Sequence, residues 1–257
     1  MSYYYQRTRG LYNPKSTEPF TLSRSKLELF TSCPRCFYMD CRFGLGRPSI
    51  APYTLNSAVD TLLKSEFDLL RKAGQSHELM KQYHIDALPS NHPDLAKWRG
   101  ETPETAYKGA MALHPQTNFL LTGMVDDVWE SSNGEMIIVD YKSTSTEKEL
   151  SLEDEYKQVY KRQMEFYQYL FRRLGFAVSK TGYFVFANAT KIQPKFDGKL
   201  EFEMSILTHI GDDSWIEPSL KLAKECLSLN KIPQSGEKCE YCDYRKAMVE
   251  TVAATLK

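Results

Sequence analysis

The sequence predicts an α/β fold, in which strands combine with amphipathic helices. Residues 119–129 and 136–141 are rich in β-branched and aromatic residues, and Ser132-Asn133-Gly134 between them suits a tight turn. Residues 153–174 show apolar side chains at helical spacing, ended by Gly175. An apolar run at residues 182–187 indicates a further strand. A hairpin, a long helix and another strand therefore follow one another along the chain.

The other predicted elements complete one large domain over residues 21–257, preceded by a tail over residues 1–20. The chain has 257 residues, of which 42% are hydrophobic and 12% aromatic, enough for a globular body. In chain order we predict a helix over 24–36 capped by Ser23, a helix over 55–72, an irregular or helical insert over 73–110, a strand over 200–207, a helix over 215–229 and a cysteine-containing C-terminal segment over 226–257.

Two carboxylates and a lysine lie in the predicted hairpin. Asp126 and Asp140 each follow apolar residues, where burial without a compensating cation or hydrogen-bond donor is costly. Side chains alternate along a strand, so Asp140 and Lys142 point the same way and Tyr141 points away. One Mg²⁺ could bind both carboxylates and lower the pKa of a bound water. Lys142 would orient or help to deprotonate the attacking water and stabilise developing negative charge. The alternative is a solvated strand end with an ordinary ion pair.

The long predicted helix carries a polar pair. Gln163 and Tyr167 are four residues apart and therefore share one face of the helix. They could face the carboxylates together. The alternative is an amphipathic core helix in which Tyr167 is packed and Gln163 is incidental.

The six cysteines fall into two pairs and two single residues. Cys33 and Cys36 form one Cys-x-x-Cys pair, and Cys239 and Cys242 form the other, which together could supply a four-thiolate metal site. The N-terminus lacks the apolar core of a signal peptide, so we expect a cytoplasmic protein and a metal site rather than disulfides. Buried, unligated thiols are the alternative for the pairs and the expectation for the single residues, Cys41 and Cys226.

Charge and hydropathy limit the kinds of partner that the sequence predicts. No apolar run approaches the length needed to cross a membrane, and the formal net charge is zero. Residues 1–50 nevertheless contain eight basic and three acidic side chains, an excess of 8 − 3 = 5, with aromatic residues between them. This stretch could contact phosphates and stack on unpaired bases of single-stranded DNA. A flexible tail followed by a solvated helix is the alternative.

The order of these motifs over residues 22–244 resembles the RecB-like branch of the PD-(D/E)xK nuclease superfamily, which includes CRISPR-associated adaptation exonucleases and the AddB nuclease domain. The resemblance makes Asp126, in Gly-x-x-Asp, the first metal-binding aspartate. It makes Asp140 and Lys142, in Asp-x-Lys, the second carboxylate and the catalytic lysine, and Gln163 and Tyr167 the helical Gln-x-x-x-Tyr motif. It also implies a restriction-endonuclease-like core, a central mixed sheet flanked by helices, with a helical accessory region and a cysteine-clasped terminus.

The chain departs from that branch at two places. Asp60 stands where a metal-proximal histidine is usual and Ser57 where a glycine is, so Asp60 would join Asp126, Asp140 and the backbone carbonyl of Tyr141 around Mg²⁺ or Mn²⁺. The resemblance also implies a [4Fe–4S] cluster, held by one N-terminal and three C-terminal cysteines. In this chain the position of the last of those cysteines is occupied by Met248. Two N-terminal cysteines, Cys33 and Cys36, and two C-terminal cysteines, Cys239 and Cys242, therefore replace the usual one and three. With this ligand set Zn²⁺ is an alternative.

The resemblance implies a Mg²⁺- or Mn²⁺-dependent deoxyribonuclease, expected to be an exonuclease on single-stranded ends or overhangs in CRISPR adaptation or DNA repair. No Walker loop is present, so unwinding would need a helicase partner; a CRISPR integrase is the other expected partner. The alternatives are a non-catalytic DNA-end-binding module and a structural subunit of a nuclease complex.

Overall fold

The protein folds into two compact units, each built from separate stretches of the chain. The computed structural model describes residues 5–49 and 51–255. One unit, here the cysteine unit, comprises Met1–Ala51, Leu113–Leu121 and Ser214–Lys257. The other, here the sheet unit, comprises Pro52–Ala112 and Thr122–Asp213. The two units are interleaved in sequence, and the single domain over residues 21–257 stays a prediction.

Eight strands, eight α-helices and one short 3-10 helix (Glu155–Lys157) are assigned within the described residues. In chain order they are β1 (Phe20–Ser23), α1 (Arg24–Ser32), α2 (Pro34–Phe43), α3 (Thr54–Ala73), α4 (Glu78–Gln82), β2 (Ala87–Pro89), α5 (Leu95–Trp98), β3 (Ala110–His114), β4 (Phe119–Gly123), β5 (Asp127–Ser131), β6 (Met136–Thr144), α6 (Gln158–Arg173), β7 (Thr181–Ala189), β8 (Phe202–Ile210), α7 (Ile216–Ser228) and α8 (Glu240–Thr255).

The sheet unit contains a five-stranded mixed sheet with the order β2-β5-β6-β7-β8. β6 and β7 are parallel, whereas the other neighbours are antiparallel. Leu63 and Phe67 of α3 pack in one core with Val139 and Tyr141 of β6. Gln163 of α6 reaches Asp140, whose side chain points to the other face because side chains alternate along β6. The predicted α/β fold, a restriction-endonuclease-like mixed sheet flanked by helices, is confirmed.

In the cysteine unit, α1, α2 and α7 pack together. Residues 5–19 of the predicted tail contain no helix or strand, and residues 1–4 lie outside the described part of the chain. The segment is nevertheless held in place: Tyr12 is buried, its backbone N–H donates to Cys41 O at 2.8 Å, and that of Arg7 donates to Gly44 O at 3.0 Å. It therefore packs against α2. A three-stranded sheet has the order β1-β4-β3.

The prediction of one continuous strand over residues 119–129 is wrong. The chain ends β4 at Gly123 and starts β5 at Asp127, and the two strands belong to different sheets. Gly123 has no room for a side chain, since a Cβ there would lie 2.7 Å from the Tyr167 ring. Val125 then donates its N–H to Trp98 O at 3.2 Å instead of to a strand partner. The antiparallel hairpin of β5 and β6 is confirmed, with Gly134 in its turn at a φ of 81°.

α6 begins at Gln158 rather than at residue 153, and β8 spans Phe202–Ile210 rather than residues 200–207. Three other segments differ more from the prediction. The helix predicted over residues 24–36 is two helices, because Cys33 is extended (φ −162°) and its thiol caps α2. The insert predicted over residues 73–110 contains a strand, β2, which pairs with β5. The sequence did not indicate this strand because Pro89 is unfavourable within a sheet. The C-terminal segment forms α8, whose apolar residues lie on no single face and gave no periodic signal. Within the described residues, no helix is both long and apolar enough to span a membrane.

Candidate functional site

Asp140 and Lys142 lie on one side of β6, as strand alternation predicts. The Nζ of Lys142 forms an ion pair with Oδ2 of Asp140. Asp140 is fully buried, and Lys142 also lies 4.8 Å from the centroid of the Tyr160 ring. Burial alone would lower the pKa of Lys142, but the charges of Asp140 and Asp126 outweigh burial and raise it. Lys142 is therefore a cation held against two carboxylates.

Asp126 lies in the bend between β4 and β5, outside the pleat of either strand. Its Oδ2 accepts a hydrogen bond of 2.9 Å from the backbone N–H of Tyr141. Burial, and after it the charge of Asp140, raise the pKa of Asp126 to about 6, despite the opposing charges of Lys142 and Lys64. Two carboxylates that repel one another in this way form a site that a cation would stabilise.

Gln163 and Tyr167 face this site from α6, the longest predicted helix of the sequence. Gln163 Nε2 donates to Oδ1 of Asp140 at 2.6 Å and to the hydroxyl of Tyr167 at 3.4 Å. Tyr167 is buried, with its ring against Gly123. The pair therefore links α6 to both Asp140 and the end of β4.

The oxygen atoms at this site suit a divalent cation. Asp140 Oδ2 is buried and contacts the ammonium of Lys142, and within the described part of the chain no neutral donor reaches it. Carboxylate and carbonyl oxygens are the ligands that Mg²⁺ and Mn²⁺ prefer. The residues that would hold the ion are Asp126, Asp140 and the backbone carbonyl of Tyr141.

Asp60 is placed differently. Its Oδ2 accepts from Nζ of Lys64 at 2.8 Å, and the same Nζ lies 3.6 Å from Oδ1 of Asp126. Within the described residues, Asp60, Asp126 and Asp140 do not each bring a carboxylate oxygen to within 4.8 Å of the others. Sequence reasoning missed Lys64, although its position four residues after Asp60 on a helix was an available signal.

A buried network of charged residues holds the backbone of Asp126 in place. Arg99 donates from Nε to the backbone O of Asp126 at 2.9 Å and from Nη2 to Oδ1 of Asp127 at 3.0 Å. Asp127 is fully buried, and its Oδ2 accepts from the hydroxyl of Tyr141 at 2.7 Å. Arg71 also pairs with Asp127. No local sequence motif predicts the roles of Arg99 and Asp127, because those roles depend on contacts between segments that are distant in sequence.

The four paired cysteines converge in the cysteine unit. Cys33, Cys239 and Cys242 are buried and pack together, with Cys36 at the edge of the cluster. Burial would raise the pKa of Cys33, but hydrogen bonds from Gly236 N–H, Cys36 N–H and neighbouring thiols lower it to about 6. Burial raises the pKa of Cys36 and of Cys242, so a bound cation would be needed to hold all four cysteines as thiolates.

The single cysteines lie apart from this group, buried as expected. Burial raises the pKa of Cys41 to about 12 and that of Cys226 to about 11, so both are protonated at neutral pH.

Comparisons with known proteins agree with this picture at the level of family. A model described as the PD-(D/E)XK nuclease superfamily matches residues 21–247. No curated protein matches the chain. Among the solved structures, the crystal structure of a protein called SSO0001 aligns with 91% of this chain and 87% of its own, at 15% sequence identity and a TM-score of 0.35.

Proposed function

Because the chain belongs to the PD-(D/E)XK nuclease superfamily, whose members are in general metal-dependent hydrolytic nucleases, we propose that it is a Mg²⁺- or Mn²⁺-dependent deoxyribonuclease. The observation that carries this proposal is the position of Asp140. Its two oxygens contact Lys142 and Gln163, and its charge acts on Asp126. These are the residues whose spacing resembles the RecB-like branch, to which we assign the chain.

Each residue has a distinct role in the proposed reaction. A divalent ion held by Asp126, Asp140 and the Tyr141 carbonyl would activate water and neutralise charge on the scissile phosphate. Because Lys142 is a cation, it orients the attacking water rather than deprotonating it, and it stabilises negative charge developing on the phosphate. Gln163 holds Asp140 in position and, with Tyr167, positions the DNA strand. Asp60 would be a further ligand of the ion, in place of its ion pair with Lys64.

We further propose that the substrate is a single-stranded end or overhang, degraded exonucleolytically during CRISPR adaptation or DNA repair. The basic excess of residues 1–50 supports contact with DNA phosphates. A helicase or a CRISPR integrase is the proposed partner.

The proposal is tested with purified protein and end-labelled single-stranded DNA in Mg²⁺ or Mn²⁺. We expect degradation, and we expect Lys142→Ala to reduce its rate about 10²- to 10⁴-fold because the amine acts in the transition state. The control is Lys81→Ala, an exposed lysine paired with Glu78, which should keep wild-type activity. Equal activity of the wild-type and Lys142→Ala proteins would refute the assignment. Circular single-stranded DNA should resist the enzyme; cleavage of circles would instead indicate an endonuclease.

A second candidate function is a DNA-end-binding module without turnover. Lys64 favours it, because an amine already neutralises two of the proposed metal-binding carboxylates, Asp60 and Asp126. This candidate predicts that the protein shifts single-stranded DNA in a gel but leaves it intact with every divalent ion tried.

A further inference from the structure

We infer that the four cysteines hold a single tetrahedral Zn²⁺ rather than the [4Fe–4S] cluster that the family resemblance implies. The ligand sulfurs of Cys33, Cys36, Cys239 and Cys242 all lie within 4.8 Å of one another. Three of the distances between sulfurs are 3.8 Å for Cys33 and Cys242, 3.6 Å for Cys36 and Cys239, and 3.7 Å for Cys36 and Cys242.

These distances are those of ligands on one ion. A Zn–S bond is about 2.3 Å long, so two sulfurs on the same tetrahedral zinc lie about 3.8 Å apart. In a [4Fe–4S] cluster each thiolate binds a different iron, so the width of the cluster adds to the separation of the sulfurs. The observed tetrad is too narrow to surround such a cluster.

Packing around Cys33 opposes a wider arrangement. Its Sγ accepts hydrogen bonds from the backbone N–H groups of Gly236 at 3.2 Å and Cys36 at 3.4 Å. A Cβ on Gly236 would lie 2.2 Å from the backbone O of Ser32, so the two segments are in direct backbone contact. Moving the sulfurs apart to admit a cluster would break both hydrogen bonds and displace this contact.

The arrangement of the ligands also suits zinc. Each pair is a Cys-x-x-Cys at the start of a helix, with Cys33 capping α2 and Cys239 immediately before α8. Two such pairs are the usual ligand set of a structural zinc site. Nη2 of Arg47 lies 3.4 Å from Sγ of Cys239, with its guanidinium 4.7 Å from the centroid of the Tyr241 ring. This cation offsets the negative charge that four thiolates leave on Zn²⁺.

The consequence is a structural, redox-inactive site. Four protein ligands leave no coordination position for water or substrate, so the ion binds the start of α2 to the start of α8 and takes no part in hydrolysis. The inference is independent of the nuclease assignment, because it concerns only residues of the cysteine unit.

The test is the metal content of the full chain, expressed with both iron and zinc supplied and purified without oxygen. We expect one zinc per chain, no acid-labile sulfide and no visible charge-transfer absorption. Replacement by Co²⁺ should give the intense visible bands of tetrahedral thiolate coordination. Cys36→Ser should lower the zinc content, whereas Cys226→Ser, a buried cysteine outside the tetrad, should not.

Iron and sulfide in equal amounts, about four of each per chain, would overturn the inference. So would a folded protein that contains neither metal and does not take up Co²⁺. If Cys36→Ser does not fold, the zinc, iron and acid-labile sulfide content of the wild-type chain as purified still decides between one ion and a cluster.

Discussion

At the scale of the residue, Lys64 competes with a divalent cation for Asp60 and Asp126. Its amine lies 2.8 Å from the first carboxylate and 3.6 Å from the second. Burial would lower the pKa of Lys64, but Asp126 and Asp60 raise it, so the competing charge is present at neutral pH. A positive charge within a few ångströms of a cation site repels the incoming ion.

Lys64→Met should therefore strengthen Mn²⁺ binding by roughly tenfold. The measurement is titration calorimetry without DNA, which separates metal affinity from catalysis. Lys72→Met is the control, since Lys72 is exposed on the same helix. Unchanged or weaker Mn²⁺ binding in Lys64→Met would show that Lys64 does not compete with the ion for Asp126 and Asp60.

At the scale of the element, the sequence predicts what periodicity controls and misses what distant packing controls. Strand alternation places Asp140 beside Lys142, and helical spacing places Gln163 beside Tyr167. Asp126 is different, because its position depends on the break between β4 and β5. That break follows from contacts of Gly123 and Val125 with segments far away in sequence.

Arg99 is the residue through which one of those segments holds Asp126. Its side chain is 2% exposed and it contacts Asp127, Asp68 and the backbone of Asp126. Removal of one partner from a buried charge network leaves the other charges uncompensated.

We expect Arg99→Met to lower the free energy of unfolding by about 3–5 kcal/mol, measured by urea denaturation. Arg172→Met is the matched control: its ion pair with Asp213 is one-third exposed on both sides, and its loss should cost within about 1 kcal/mol. If Arg99→Met does not fold, Tyr141→Phe removes one donor to Asp127 and should cost about 1–3 kcal/mol. Equal stability of Arg99→Met and Arg172→Met would show that the network does not support the bend.

At the scale of the whole molecule, the two units are interleaved along the chain, which no local pattern reveals. The cysteine unit combines the N-terminal 51 residues with the C-terminal segment from Ser214 and a short stretch between them. The one signal in the sequence was the pair of Cys-x-x-Cys motifs at opposite ends. Their convergence could be predicted from chemistry, because four thiolates on one metal must meet. α8 could not, because nothing in its apolar spacing distinguishes it from a loop.

The metal site and the carboxylate site therefore belong to different units, and their loss should have different effects. Cys239→Ser removes a metal ligand, and the binding free energy of a structural metal contributes directly to folding. We expect Cys239→Ser to reduce the yield of folded protein severalfold, while the folded fraction keeps most of its nuclease activity per molecule. Cys226→Ser is the control, since it replaces a buried cysteine of the same unit outside the tetrad. Yield is measured by gel filtration and activity on the same single-stranded DNA. A Cys239→Ser protein that is stable, retains its metal and is inactive would contradict this division, because it would place the cysteine in catalysis.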